Sequence, residues 1–394
     1  MEKDSNRTTF HDPAQDYLTL RGVGDIMVIA GAARALEKNG CEHTFGPVAH
    51  LLCSADLAFG NLEMPISSNS QRHAHFPGVC PDFYSPAQTA EALSLAGFDV
   101  LNLANNHIMD WGFDALQETI GRLRDVGIQT IGAGETLETA RQPAFFTFNS
   151  LRVGLLGYGV RGPWNATTGS PGTAPIDRKS ILMDIRDLCS SVDLVIVSLH
   201  TGILSHYPNP EDRNLAYDLV DHGVDLILGH GPHVIQGIEM YQGKAIYFSL
   251  GNFMIDLASG NVENKVALDE HLESFIADVV LSPIGKIQAG AIPIVITDQF
   301  QATPADPGKS VQIRAKLHHL SHTLSKTTGL KLWEHAGSLN VEHELRVLIF
   351  QGKHVSLMSA LRRLTKVRWR HVRLVVGYLI SRGKKIFGRE VTSP

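Results

Sequence analysis

The chain has 394 residues, 43% of them hydrophobic and 19% charged, with a net charge of −5. That is enough apolar material for one large core or two, and it excludes a disordered or fibrous chain. Cys41, Cys53, Cys80 and Cys189 are scattered without a Cys-x-x-Cys pair, which argues against a zinc knuckle or a disulfide framework.

In chain order, a first strand is predicted over 18–30, with Gly22, Gly24 and Asp25 at its centre, and an alanine-rich helix over 30–38. The apolar run 55–59 forms a short strand ending in Gly60-Asn61-Leu62-Glu63. A helix follows over 85–96 with Pro86 in its first turn. Gly97 then leads into a strand over 98–104 that ends in Asn105-Asn106-His107-Ile108-Met109-Asp110. The helix 112–126 is stopped by Gly127, and strands at 128–131 and 152–158 come next. The stretch 163–175, dense in Gly, Pro, Thr and Asn, reads as a long surface loop. Helix 179–189, strand 193–199, helix 210–222 and strand 225–228 continue the alternation. Strands at 245–249, 275–281 and 290–297 have less helix between them, so an α/β protein with antiparallel sheet in its later part is expected.

Polar groups of one chemical kind recur where these strands end. Asp25, Glu63, Asn106, His107, His200, His230 and His233 all end or follow predicted strands, and ligands of open α/β sheets sit in the crevice outside those edges. One histidine closing an apolar run is ordinarily a core or rim imidazole. The pair in Gly229-His230-Gly231-Pro232-His233 sits in a tight turn that can aim both rings at one point. Imidazoles with carboxylates suit zinc, manganese or iron. The chemistry such a set serves is metal-assisted hydrolysis, in which two divalent ions about 3.5–4 Å apart share a hydroxide and clamp the attacking and leaving oxygens.

Gly24-Asp25, Asn61-Leu62-Glu63, Asn105-Asn106-His107 with Asp110, His200, Gly229-His230-Gly231-Pro232-His233 and Tyr247-Phe248-Ser249-Leu250-Gly251-Asn252-Phe253 occur in that order. Together they resemble the CapA family of capsule-synthesis proteins, associated with poly-γ-glutamate and itself similar to the calcineurin-like metallophosphoesterases. The resemblance runs from about residue 18 to 329. It implies a four-layer α/β/β/α sandwich with two central mixed sheets over 18–330, and leaves 331–394 as a basic, helical extension. It also implies one or two divalent ions (Zn, Mn or Fe) on Asp25, Glu63, Asn106, His200, His230 and His233. Glu63 would be the bridging carboxylate, with Asp56 the second choice. His107 would face the scissile group as acid or charge stabiliser, and Asp110 would hold its ring. Asn61, Arg161 and Asn252 are expected at the substrate.

The chain departs from the metallophosphoesterase pattern in two places. Ile26 and Met27 follow Asp25 where Asp-x-His is usual, and Asn61 and Glu63 stand in the region of the usual Gly-Asp. The function implied is metal-dependent hydrolysis of a phosphoester, or of an amide or ester of an anionic polymer such as poly-γ-glutamate. The alternative is a non-catalytic assembly factor in capsule production.

Other signals carry less. Gly157-Tyr158-Gly159-Val160-Arg161-Gly162 fits a dinucleotide fingerprint, but a loop follows it where a helix should begin. Gly308-Lys309-Ser310 has Thr303 where a P-loop needs glycine, and Asn165-Ala166-Thr167 is a sequon only in a secreted protein. Arg161 and Arg213 could bind an anion in forked geometry, Arg161 being the better candidate because it lies in the loop near a strand end, with solvated surface charge the simpler alternative. His206, Tyr207 and Asn209 line the same cleft or form a simple turn before Pro210.

Residues 340–394 carry twelve Lys or Arg against three Glu, with Leu345, Leu348, Ile349, Leu357, Leu361, Leu364 and Val367 at roughly helical spacing. A helix docked on the body or on another subunit is expected there. A peripheral contact with anionic lipid is the alternative, and nucleic acid ranks behind both. No apolar run reaches the roughly 18–20 residues of a membrane-spanning helix. Residues 1–16 lack the form of a secretory signal, so a cytoplasmic location, with membrane contact at most peripheral, is expected.

Overall fold

A computed structural model describes residues 17–67, 84–201, 205–256, 269–282 and 287–327. Cys80 and the extension expected over 331–394 lie outside the described residues. Among the described residues no helix is long and apolar enough to cross a membrane.

The chain runs β1 (Leu18–Ile26), α1 (Ala30–Asn39), α2 (Glu42–Cys53), β2 (Leu57–Leu62), α3 (Gln88–Ala96), β3 (Val100–Asn102), α4 (Gly112–Asp125) and β4 (Gln129–Ile131). It continues with β5 (Ala133–Gly134), α5 (Leu137–Ala140), β6 (Ala144–Phe148), β7 (Leu151–Gly159), β8 (Gly172–Thr173), α6 (Arg178–Cys189) and β9 (Leu194–His200). Then come α7 (Pro210–Asp221), β10 (Leu226–His230), β11 (Ile238–Tyr241), β12 (Lys244–Tyr247), β13 (Asn252–Met254), β14 (Glu273–Leu281), β15 (Ile287–Ile296), β16 (Ala302–Pro304) and a last helix, α8 (Pro307–Lys326).

Two mixed sheets form the centre. The first has the order β16-β15-β14-β1-β2-β3-β4, with β13 added beside the end of β1. Its β1 to β4 are parallel, and β14 to β16 are antiparallel, as the thinning of helices late in the sequence predicts. The second has the order β11-β12-β10-β9-β7-β6, with a parallel centre and antiparallel edges. β2, β9 and β10 are buried along their whole length. Near-continuous apolar runs of this kind belong to parallel strands covered on both faces.

The layers follow from where those runs pack. One face of the first sheet meets α1 to α4 through a core that includes Leu36, Phe45, Leu93 and Leu116 with Ile26 and Leu101. Its other face places Leu20, Phe59 and Val100 in one core with Leu155, Ile196, Ile227 and Tyr247 of the second sheet. Ile181 and Ile185 of α6 and Ala216 and Leu219 of α7 complete that core. The arrangement is the four-layer α/β/β/α sandwich.

α8 bridges the two sheets, lying against β11 of one and β15 of the other. Arg213 of α7 donates to the carbonyls of Leu324 (2.8 Å) and Thr327 (2.6 Å) at its C-terminus, satisfying acceptors that a helix end leaves open. Arg213 is buried and also pairs with Glu239, so it is a structural clamp, not the solvated surface charge expected of it.

Some boundaries differ from expectation. β1 stops at Ile26, and β3 at Asn102, whose own Oδ1 takes the Ala104 N–H and turns the chain. α2 was not expected: Gly46 and Pro47 within it blur its sequence pattern. The stretch 163–175 is not purely surface loop, since it buries Ala166, Thr173 and Ala174 and pairs β8 with β5. Pro86 precedes α3 instead of lying in its first turn.

Glu273 fastens α8 to the first sheet. It accepts from Lys309 and, at 3.2 Å, from Lys316, both on α8. Burial opposes its charge, yet the two lysines hold its carboxyl below the usual carboxylate range. A depressed acid contributes stability above its unfolded pKa and loses it as pH falls through the folded value. Glu273→Gln should therefore cost about 1–3 kcal/mol at neutral pH, and the deficit should vanish in acid below about pH 4. Denaturant titrations of parent and variant at both pH values measure this.

Candidate metal centre

The residues singled out at strand ends meet where the C-terminal edges of both sheets face each other. β1 delivers Asp25, and β2 delivers Asn61 and, one residue past its end, Glu63. β9 ends on His200 and β10 on His230, which are partners in register. Gly24 lets β1 come close to the chain before β13: a Cβ there would lie 2.0 Å from the Gly251 carbonyl oxygen. Asp25 N donates to that same oxygen at 3.0 Å.

Asp25 is fully buried and sits at the hub. Its Oδ1 accepts from Asn61 Nδ2 at 2.8 Å, and its Oδ2 from Gly231 N at 3.0 Å. His233 Nδ1 is 3.2 Å from Oδ2, while His230 Nδ1 and His200 Nδ1 are 3.5 and 3.9 Å from Oδ1. Glu63 closes the other side, its Oε1 3.6 Å from His200 Nε2 and 3.7 Å from His233 Nε2. Ligand atoms of Asp25, Glu63 and His233 lie within 4.8 Å of one another.

Four buried polar atoms have no hydrogen-bond partner there: both carboxylate oxygens of Glu63 and both ring nitrogens of His230. Buried polar groups are normally paired, and unpaired carboxylate and imidazole atoms aimed at one point are what a divalent cation needs. The donor set therefore fits a metal.

Burial pushes Glu63 up to about 7, with Asp25 adding to the rise. Burial would also raise Asp25, but His230 and His233 outweigh it and hold the carboxyl well below the usual range. His233 is driven up to about 10 because Glu63 and Asp25 overcome its burial, whereas burial takes His200 down to about 3.

The Asn-Asn-His segment divides its work. Asn105 Oδ1 accepts from the backbone N–H of His107 (3.1 Å) and Ile108 (2.9 Å), and its Nδ2 donates to Leu62 O (2.8 Å). The first asparagine thus builds the turn, and the next two residues are presented by it. Asn106 Oδ1 lies 2.9 Å from His200 Nε2. His107 Nδ1 lies 2.8 Å from Asp110 Oδ2. Asp110 and Glu63 raise His107 against its burial. His107 and His233 are 23% and 25% exposed, while Asp25, Glu63, His200 and His230 are at most 1% exposed, so the two rings are where a substrate could touch the centre.

The residues expected at the substrate are placed otherwise. Asn61 is fully buried behind Asp25 and also faces His200 Nδ1 at 3.2 Å. Asn252 Nδ2 donates to the carbonyls of His233 and His271, both at 3.0 Å, and its Oδ1 is 3.0 Å from His233 Nδ1. Asn252 therefore fixes His233, whose φ of 58° lies in the left-handed region that a bulky side chain seldom adopts. Arg161 is 64% exposed and pairs with Asp177, the cap of α6.

Asp56 stands at the opposite end of β2, accepting from Thr19 N at 2.8 Å, so the second choice for a bridging carboxylate is corrected. Asn209 caps α7, Tyr207 is buried, and His206 faces Glu270 at 3.1 Å. Asn102, fully buried, is a member of the network that lies outside every motif of the sequence. An amide inside an otherwise apolar strand was the available signal for Asn102.

An acid whose pKa rises on folding costs stability once the unfolded chain ionises it. Glu63→Gln should stabilise the metal-free protein, with a gain that appears from about pH 4.5 and levels off above about 7. Thermal melts in chelator across that range give the answer; a variant less stable than its parent at pH 8 contradicts it.

Residues 19–257 match the family model described as bacterial capsule synthesis protein PGA_cap. The chain is 31% identical over 276 residues to the capsule biosynthesis protein CapA of Bacillus anthracis, covering 67% of each chain. It is 28% identical over 312 residues to the PGA biosynthesis protein CapA of Bacillus subtilis, covering 77% of each. Among solved structures, a 5'-nucleotidase precursor from Thermus thermophilus aligns with 14% identity and a TM-score of 0.41, over 79% of this chain and 59% of that one. The family match over the segment that carries Asp25, Glu63, His107, His200, His230 and His233 shows that the chain belongs to the bacterial capsule synthesis family PGA_cap.

Proposed function

We propose that this member of the capsule synthesis family is a metal-dependent hydrolase acting on an anionic polymer or phosphoester. The observation that carries this reading is the set of four unpartnered buried atoms on Glu63 and His230, facing Asp25 and His233. A divalent cation would balance the two buried carboxylates and take the lone pairs of the imidazoles beside them.

When bound, the metal would supply a water of lowered pKa and a Lewis acid for the scissile group. Asp25, Glu63, His230 and His233 would hold it, with His200 and Asn106 beside them. The chain's own contribution is then proton handling. Asp110 accepts the Nδ1 hydrogen of His107, which orients the ring and favours its charged form, so that Nε2 can deliver a proton to a leaving oxygen. Zn, Mn and Fe all suit the donor set. The names of the Bacillus relatives support capsular or poly-γ-glutamate material as the substrate context.

A second reading is a binding role without turnover. What favours it is that Ile26 and Met27, both buried apolar residues, stand where Asp-x-His would add a ligand. Mycobacterium tuberculosis relatives 33% identical over 218 residues are likewise named as probable synthesis accessory proteins.

Variants separate binding from chemistry. Asp25→Asn and His230→Ala should weaken metal binding by more than about a hundredfold. His107→Ala should keep the metal and lose about 10²–10⁴ in rate on a phosphoester or poly-γ-glutamate substrate. Elemental analysis with a turnover assay decides the matter. Full metal loading with no hydrolysis in the parent supports the second reading, and a metal-free parent that His230→Ala leaves unchanged removes the first.

A further inference from the structure

Asn102 belongs to none of the motifs, yet glycines from two separate segments make room for it. A Cβ on Gly157 would lie 2.2 Å from Asn102 Oδ1, and one on Gly132 would lie 2.5 Å from it. A Cβ on Gly159 would lie 2.4 Å from the Ala104 carbonyl oxygen. Gly157 and Gly159 are on β7 of the second sheet, and Asn102 is on β3 of the first. The two glycines that imitate a dinucleotide fingerprint are thus the place where one sheet passes over the amide of the other.

The direction of that amide is set by the backbone. Ala104 N–H donates to Asn102 Oδ1 at 3.1 Å, and a backbone N–H can only donate. Asn102 Nδ2 therefore faces the other way, donating to Asn61 Oδ1 at 2.9 Å, with Ala104 O at 3.4 Å as a second acceptor. With its oxygen so engaged, Asn61 presents Nδ2 to Asp25 Oδ1 at 2.8 Å and to His200 Nδ1 at 3.2 Å. Across the ring, His200 Nε2 lies 2.9 Å from Asn106 Oδ1, an oxygen that can only accept. Both sides ask for the same tautomer, with Nδ1 bare and Nε2 protonated.

We propose that Asn102 is a positioning residue for the centre: starting from one backbone donor, it relays hydrogen-bond direction through Asn61. In doing so it keeps an amide donor on Asp25 Oδ1 and sets which His200 nitrogen carries the proton. It touches neither substrate nor ion. Outer partners of this kind commonly change metal affinity about 10–100-fold when removed.

The test reads the tautomer first. ¹⁵N NMR of the imidazoles in chelator-treated full-length protein should show His200 with a bare Nδ1 and a protonated Nε2; the opposite tautomer overturns the relay. In Asn102→Asp the carboxylate still accepts from Ala104 N–H but cannot donate to Asn61. Facing a carboxylate on either side, the Asn61 amide should turn its Nδ2 to the new one, give up Asp25 Oδ1, offer its oxygen to His200, and move the ring proton to Nδ1. An unchanged tautomer in folded variant overturns the proposal.

The second arm rests on the metal reading of the site. Calorimetric titration with Mn²⁺ or Zn²⁺ should give about 10–100-fold weaker binding for Asn102→Asp and for Gly157→Ala, which displaces the amide without touching a candidate ligand. A switched tautomer with parental affinity refutes the positioning role. A parent that binds neither ion refutes the metal reading, while the NMR result still judges the relay.

Discussion

A carboxylate with no access to water is the constraint around which this molecule is organised. Asp25 is fully buried at the seam of two sheets, and an isolated charge there would cost several kcal/mol. What makes it tolerable is the geometry of strand ends. β1 supplies the acid, β2 an amide donor, β10 the His230 imidazole, and the turn after it a backbone N–H and the His233 ring. These come from both sheets, so the sheets must meet at one relative height for Asp25 to be satisfied. Gly24 is part of that requirement, since no side chain fits where β1 passes the Gly251 carbonyl.

Much of this was legible in the sequence. Long apolar runs such as those ending at His200 and His230 announce parallel strands covered on both faces, and polar residues after each run mark the edge where a site forms. The histidine pair around Gly231 and Pro232 and the Asn-Asn-His segment stood out because such groups serve no purpose in packing. The four-layer fold came from family resemblance, because alternation of strands and helices alone does not say how two sheets stack.

What was not legible has a common physical cause. The family resemblance implies substrate contacts for Asn61 and Asn252. Their partners, Asp25 and His233, are 36 and 19 residues away, and only the fold shows that their hydrogens are already engaged. Arg213 was read as a surface charge for the same reason: the carbonyls it satisfies are more than a hundred residues later. Asn102 went unremarked because one polar residue in a three-residue strand leaves no periodic signature. α2 was hidden by Gly46 and Pro47, which weaken a helix locally while packing of Phe45, Val48 and Leu52 retains it.

The position of the centre on the seam gives it a mechanical meaning as well as a chemical one. Asp25 and Glu63 belong to one layer, and His200, His230 and His233 to the other, so a cation shared among them would rivet the sandwich at its mouth. Ligand binding and folding free energy are then coupled, and the cation would add to the hold that α8 exerts on both sheets through β11 and β15.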